Sequence, residues 1–168
     1  MKRLSVVVLC FVFVLCGCGS NKKVKVKTDL LTFGCNVDYN GDKYSFDVKT
    51  LENGEMDCLV TAPQTLVGMR CVIGEKKVKI DYMGMEIEKS TNELPFGSAV
   101  SLFFAVIKDA KDKPIQNREK EYFVSGKVNG VEYTLNTTDD GIPLSINCES
   151  EKIFMEFVKL TLAKASEK

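Results

Sequence analysis

The sequence predicts an α+β domain, made mainly of antiparallel β-strands with one helix packed against them. Two observations predict this fold class. Apolar and polar residues alternate with a period of two in segments separated by turn dipeptides, which is typical of half-buried strands joined by hairpins. One segment, at about residues 98–110, breaks the alternation and is apolar on almost every side. We therefore expect one sheet with one helix covering a face of it.

The first half of the chain contains five alternating segments. Asn40-Gly41 marks the first hairpin turn, because Asn and Gly tolerate the positive φ that a type I′ turn needs, and Asn53-Gly54 makes the next turn. The apolar residues occupy even-numbered positions from Val78 to Tyr82 and odd-numbered positions from Met85 to Ile87. This change indicates a two-residue hairpin loop at Met83-Gly84. The apolar positions in chain order are Phe33, Cys35, Val37 and Tyr39; Tyr44, Phe46 and Val48; Met56, Cys58 and Val60; Met69, Cys71 and Ile73; Val78, Ile80 and Tyr82.

The second half of the chain continues the pattern with hairpins at Asn129-Gly130 and Asp140-Gly141. The last strand has two possible inner faces, one with Ile153, Met155 and Phe157 and one that includes Phe154 and Val158, and both stay open. The apolar positions of the preceding strands are Tyr122 and Val124; Val131, Tyr133 and Leu135; Leu144, Ile146 and Cys148.

The exceptional helix begins at Ser98, a good N-cap residue, and stops before Pro114. A surface helix shows a single apolar stripe, whereas this one is apolar almost all round and must be covered on most sides. It is too short to cross a bilayer. We expect it either to fill the core completely or to form one wall of an apolar cavity.

The N-terminus has the features of an export signal. Lys2 and Arg3 precede an uncharged apolar run, Leu4 to Leu15, that is shorter than a membrane span. The following residues, Leu15-Cys16-Gly17-Cys18, resemble a bacterial lipobox, which implies that Cys18 carries a lipid after cleavage. This gives a signal peptide at 1–17, a lipidated tether at 18–28 and a domain at 29–168, anchored to the cell membrane on its extracytoplasmic face. The alternative is an ordinary cleaved signal.

Removal of residues 1–17 takes Lys2 and Arg3 from the 23 basic residues and leaves 21 against 23 acidic ones, a net charge of −2. Without a basic excess, nucleic acid is excluded as an expected partner. The 151 residues from Cys18 to Lys168 suffice for one domain, and we expect a monomer.

The residue types that carry most catalysis and metal binding are missing. Histidine is absent, so the commonest general base is unavailable, and the acidic pairs Asp139-Asp140 and Glu149/Glu151 fall in turn-like segments. We therefore predict no enzyme activity, no metal and no cofactor. We expect four free buried thiols in the domain, while two disulfides with three possible pairings stay open. These thiols belong to Cys35, Cys58, Cys71 and Cys148.

The order of these features resembles the LolA-like lipoprotein-carrier fold. The run from Val60 to Met69 matches the x-P-x-x-L-x-G step of that family, and the Tyr82-Met83-Gly84 strand pair, the helix from Ser98 and the segment Gly141-Ile142-Pro143-Leu144 follow in order. The resemblance covers about Leu30 to Leu160. It implies a strongly bent antiparallel half-barrel whose helix covers the concave face above a hydrophobic pocket for acyl chains. The carriers are soluble shuttles with a helix before the first strand, and this chain departs from them in both respects.

The predicted function is the binding of a hydrophobic ligand, such as an acyl chain, a lipid or a lipopeptide, between the half-barrel and the helix. Flexible methionine side chains suit a pocket that accepts varied chains. The alternatives are an ordinary filled core and an envelope sensor or protein-interaction module without cargo. The candidate pocket residues are Phe46, Met56, Cys58, Met69, Cys71, Ile80, Met85, Leu102, Phe103 and Val106.

Overall fold

The structure of the protein is a computed structural model that describes residues 24–90, 93 and 97–162. The predicted signal peptide, the lipobox and the expected lipid attachment at Cys18 lie outside these residues. Among the helices that are described, none is long and apolar enough to cross a membrane.

The described residues form eleven strands and one α-helix. Two short 3-10 turns, at Gln64–Leu66 and Glu149–Glu151, connect neighbouring strands. The elements in chain order are β1 (Leu30–Tyr39), β2 (Asp42–Thr50), β3 (Met56–Ala62), β4 (Arg70–Ile73), β5 (Lys77–Tyr82), β6 (Met85–Ser90), α1 (Gly97–Ala110), β7 (Gln116–Arg118), β8 (Glu121–Val128), β9 (Val131–Thr137), β10 (Pro143–Cys148) and β11 (Ile153–Leu162).

All the strands belong to one curved, open antiparallel sheet in the order β6-β5-β4-β3-β2-β1-β11-β10-β9-β8-β7. Strand β1 lies in the middle, because β2 pairs with one of its edges and β11 with the other. The chain meanders out to β6, passes through α1 and then meanders back from β7 to β11. Helix α1 therefore links the two edges of the half-barrel across its concave face. The predicted fold class is confirmed.

The sheet is irregular where β1 pairs with β11. The register shifts twice between Leu30 and Gly34, and Lys159 on the partner strand has a left-handed φ of 52°. A Cβ atom at Gly34 would lie only 2.6 Å from Cγ2 of Val158, so this close approach requires glycine. Bulges of this kind bend a strand and increase its twist, which favours a curved sheet over a flat one.

The hairpin predictions are confirmed at Asn40-Gly41, Met83-Gly84 and Asn129-Gly130, where all six residues have positive φ. The open question of the last strand is settled by burial. The buried face of β11 carries Ile153, Met155 and Phe157, whereas Phe154 is 44% exposed.

Helix α1 packs its buried residues onto the concave face of the sheet, so the core lies between them. Phe103 stacks on Phe33 with 5.9 Å between ring centroids and meets the edge of Phe157 at 5.7 Å. Phe104 and Ile107 are half-buried against the same core, which agrees with a helix covered on most sides. The buried residues of α1 are Ala99, Leu102, Phe103, Val106 and Ala110.

Residues 24–28, which we call the N-terminal strap, lie against the domain ahead of β1. The Lys27 backbone N–H donates to the carbonyl oxygen of Gly141 at 2.8 Å, and the Lys27 ammonium pairs with Asp140 at 2.6 Å. Val26 is buried in the core. The last part of the predicted tether is thus docked onto the domain.

Candidate functional site

A small apolar cavity lies between the sheet and helix α1. Its volume is about 40 Å³, and every side chain that lines it is apolar. The lining residues are Phe33, Cys35, Val37, Phe46, Val48, Met56, Cys58, Ile73, Ala99, Phe103 and Met155.

The sheet wall of the cavity follows from the period-two alternation of the strands. Phe33, Cys35 and Val37 share one face of β1, and β2 places Val48 opposite Phe33 and Phe46 opposite Cys35. Residues opposite each other in an antiparallel pair share a face of the sheet. The alternation that buries these residues therefore also brings them together around the cavity.

The helix wall is formed by Ala99 and Phe103, one turn apart on α1. Ala99 is fully buried, and its single methyl group leaves space that a larger side chain would occupy. Phe103 closes the other side through its ring contacts with Phe33 and Phe157. Of the two arrangements expected for the helix, the structure shows the one in which it walls a cavity, and that cavity is narrow.

The size of the cavity limits what it holds in this conformation. Its 40 Å³ is a few times the roughly 10–15 Å³ that a cavity needs in order to hold one water molecule. A dry apolar lining disfavours water, because a buried water needs polar partners. A hydrocarbon chain would enter only if α1 and the sheet moved apart.

A wide groove of about 1250 Å³ adjoins the cavity and shares Phe33, Met56 and Phe103 with it. The rim of the groove is polar and includes the strap residue Thr28. Across it, the Lys108 ammonium of α1 lies 3.6 Å from the Glu75 carboxylate of the β4–β5 turn, and both side chains are exposed. An exposed ion pair of this kind contributes little to stability, so breaking it to open the groove toward the cavity would cost little free energy.

The domain thiols are free and buried, as expected for Cys35, Cys58, Cys71 and Cys148. Burial raises the pKa of Cys35 to about 12 and that of Cys71 to about 11, and it raises the pKa of Cys58 as well. These thiols stay protonated at neutral pH, and the thiolate is the reactive form. In the described part of the chain, no group of three or more Cys, Asp or Glu residues could hold a metal ion. The lining of the cavity therefore offers apolar contacts.

Polar contacts hold the C-terminal half of α1 on the sheet. The Asp109 carboxylate accepts hydrogen bonds from the Lys113 ammonium and, at 2.6 Å, from the Tyr133 hydroxyl of β9. These bonds lower the pKa of Asp109, while burial and the bond to Asp109 raise the pKa of Tyr133. A Cβ atom at Gly126 would lie 2.6 Å from the Asp109 oxygen and 2.3 Å from the Lys113 nitrogen, so glycine makes room for this cluster.

The predicted pocket residues fall into three groups. Phe46, Met56, Cys58 and Phe103 line the cavity. The next group packs in the surrounding core without lining it, with Met69 and Ile80 half-buried and Cys71, Leu102 and Val106 fully buried. Met85 lies apart from both groups on the edge strand β6 and is 61% exposed.

Sequence reasoning left seven lining residues out of the candidate set. Five of them could have been found from the alternation of apolar residues along the strands. They are Phe33, Cys35 and Val37 on β1, Val48 on β2 and Ile73 on β4. Ala99 gave no signal, because a small residue in an apolar helix does not reveal an adjacent space. The seventh is Met155, on the face of β11 that the sequence left undecided.

No protein-family model matches the chain, and no curated protein is similar to it in sequence. Several solved structures follow a similar path. An uncharacterized conserved protein from Thermus thermophilus has a TM-score of 0.47 and 14% identity, with 82% of each chain covered. A LolA superfamily protein from Nitrosomonas europaea has a TM-score of 0.44 and 9% identity, covering 86% of this chain and 91% of that one.

LprF from Mycobacterium bovis has a TM-score of 0.42 and 11% identity, with 84% of this chain and 90% of that chain covered. At such identities and TM-scores, these structures indicate nothing about a ligand of this protein.

Proposed function

We propose that this protein is a membrane-anchored extracytoplasmic lipoprotein that binds a hydrophobic ligand between the half-barrel and helix α1. The cavity lined only by apolar side chains carries the proposal. The ligand would be an acyl chain, a lipid or a lipopeptide. Each methylene group that leaves water would contribute about 0.8 kcal/mol to binding. Binding would involve no covalent chemistry, so we propose no enzyme activity.

The opening that a ligand needs would come from the N-terminal half of α1. Its described side chains at the cavity, Ala99 and Phe103, are apolar, and Leu102 packs in the adjacent core. Apolar contacts are non-directional, so an acyl chain entering from the groove would replace them with equivalent ones. The polar cluster at Asp109 would keep the other half of the helix in place.

The experiment is extraction of lipid from the protein, purified with its N-terminal strap, followed by mass spectrometry. The variant Cys58→Leu adds volume inside the cavity, and the matched control Cys148→Leu makes the same change at a buried position that does not line it. We expect bound lipid in the wild type and in Cys148→Leu, and much less in Cys58→Leu. Absence of lipid from all three, or equal amounts in all three, contradicts the proposal.

The second candidate function is an envelope sensor or interaction module without cargo. One observation favours it: the β5–β6 hairpin exposes Met83 by 85% and Met85 by 61%. Exposed apolar patches mark interaction sites when they are contiguous. Capture of one membrane protein by the wild type and equally by Cys58→Leu would support this function over lipid binding.

A further inference from the structure

Strand β6 is an open edge of the sheet. Among the described strands it is hydrogen-bonded only to β5, and every residue from Met85 to Lys89 is exposed. An edge strand presents unpaired N–H and C=O groups that can accept a further strand. Its two faces differ, and the difference specifies what kind of strand would fit.

The convex face of this edge has an unbalanced acid. Asp81 of β5 lies opposite Arg70 on one side and opposite Glu86 of β6 on the other. Arg70 is already engaged by Asp57, which accepts two hydrogen bonds from its guanidinium at 2.7 and 2.6 Å. Glu86 faces a like charge and forms no ion pair with any described residue. Like charges directly opposite each other are destabilising.

The other acid of β6 is already neutralised. Glu88 pairs with Lys77 and lies opposite Lys79, and these contacts lower the pKa of Glu88. A cation brought by another strand would therefore find its partner at Glu86.

The concave face of the same edge is mainly apolar; its charged residue, Lys89, lies opposite Val78 and pairs with Glu93. Met85 lies opposite Tyr82, and Ile87 lies opposite Ile80, which packs against the core. Met85 and Ile87 are 61% and 46% exposed, so the apolar row of the sheet continues past the helix to the open edge.

We propose that β6 receives an extended segment of a partner protein as a twelfth strand, with a basic side chain opposite Glu86 and apolar side chains beside Met85 and Ile87. In a strand that alternates basic and apolar residues, the basic side chains would lie beside Glu86 on the convex face and the apolar side chains beside Met85 and Ile87 on the concave face. This inference does not depend on lipid binding in the cavity.

A second copy of this chain does not fit the edge. Residues that face each other in an antiparallel pair lie on the same side of the sheet, so β6 could pair with itself about Glu86, Ile87 or Glu88. Each of these registers places a glutamate opposite a glutamate, which costs stability. The charge pattern therefore disfavours self-pairing and favours a basic partner.

The experiment uses the purified protein and synthetic peptides as probes. One peptide alternates valine with lysine, its counterpart alternates valine with glutamate, and a third is the lysine peptide with N-methylated backbone amides. Fluorescence anisotropy gives the affinities, and hydrogen exchange shows where the peptide binds. We expect the lysine peptide to bind about two- to fivefold more tightly than the glutamate peptide, to protect β6, and to lose its affinity on N-methylation.

The charge reversal Glu86→Lys should invert the preference between the two peptides. The control Glu52→Lys makes the same change in net charge on the exposed β2–β3 turn and should leave the preference intact. Equal binding of both peptides, retained binding of the N-methylated peptide, or protection at β7 instead of β6 would overturn the proposal. So would binding of phosphatidylcholine vesicles that Met83→Ser abolishes, because the hairpin tip would then contact lipid.

Discussion

The two halves of helix α1 hold to the sheet by different kinds of contact. Among the side chains that the structure describes in the N-terminal half, Ala99, Leu102 and Phe103 are buried in the apolar core. The C-terminal half adds a cluster of directed hydrogen bonds among Asp109, Lys113 and Tyr133. Apolar contacts tolerate sliding and substitution by another apolar group, whereas hydrogen bonds require particular atoms at particular distances.

The difference indicates which end of the helix moves. The cavity lies beneath the half with apolar contacts, and the polar cluster lies where β8 and β9 support the other half. A ligand would therefore displace the N-terminal half while the C-terminal half acts as the fixed end. Four measurements test whether the two halves differ in this way.

The largest expected effect is that of Phe103→Ala, in the half that walls the cavity. Loss of the ring removes its contacts with Phe33 and Phe157 and should lower the free energy of unfolding by about 3–5 kcal/mol. Urea unfolding measures it. Phe104→Ala is the control, since that ring is only half-buried, and it should cost clearly less. An equal or larger loss for Phe104→Ala would contradict the placement of the cavity wall.

The next effect is that of Asp109→Ala, in the fixed half. It removes the acceptor that Lys113 and Tyr133 share and should lower the free energy of unfolding by about 1.5–3 kcal/mol. Hydrogen exchange in the last turns of α1 should become faster. The control Asp112→Ala changes a carboxylate that is 85% exposed and should stay within about 0.5 kcal/mol of the wild type. Unchanged exchange in the Asp109 variant would show that the cluster does not fix this half.

The substitution Gly126→Ala tests the same cluster from the sheet side. Its Cβ atom would displace the Lys113 ammonium, the Asp109 carboxylate and the Tyr133 ring, at an expected cost of about 1–3 kcal/mol. Because both changes disrupt one cluster, the double variant with Asp109→Ala should lose less than the sum of the single losses. Additive losses in urea unfolding would mean that Gly126 acts elsewhere.

The smallest effect is a pH dependence. The hydrogen bonds from Lys113 and Tyr133 hold the pKa of Asp109 below its ordinary value of 3.8. The stabilisation by this carboxylate is therefore complete above about pH 4 and is lost as the pH falls through the lowered pKa. The difference in unfolding free energy between wild type and Asp109→Asn should narrow on acidification. A difference that widens would show that the carboxylate is protonated more readily in the folded state.

Much of the fold could be predicted from the sequence, because period-two alternation and Asn-Gly turns act over short distances. Strand β7 was missed because Gln116, Asn117 and Arg118 are all polar and exposed, so the strand shows no alternation of apolar and polar residues. The pairing of β1 with β11 joins the two ends of the domain, and no local pattern specifies it.

The candidate site was predictable only in part. The alternation of apolar residues indicates which side chains face the concave side of the sheet. It does not indicate which of them the helix covers, so the pattern is the same for Met85 and Cys58. Met85 is exposed and Cys58 lines the cavity. The bond between Asp109 and Tyr133 spans 24 positions in the chain and connects a helix to a strand. Two single polar residues that far apart form no sequence pattern, so this hydrogen bond could not be predicted.

The docking of the N-terminal strap sets the reach of an anchored molecule. Val26 is buried and Lys27 is hydrogen-bonded to Gly141, so six residue steps separate the expected acylated Cys18 from Val24, the first residue that the structure describes. Six residue steps span at most about 20 Å when fully extended. Thr28, just beyond, lies on the groove beside the cavity. With the proposed lipid anchor at Cys18, the domain would therefore lie close to the bilayer and would exchange its proposed ligand with that membrane.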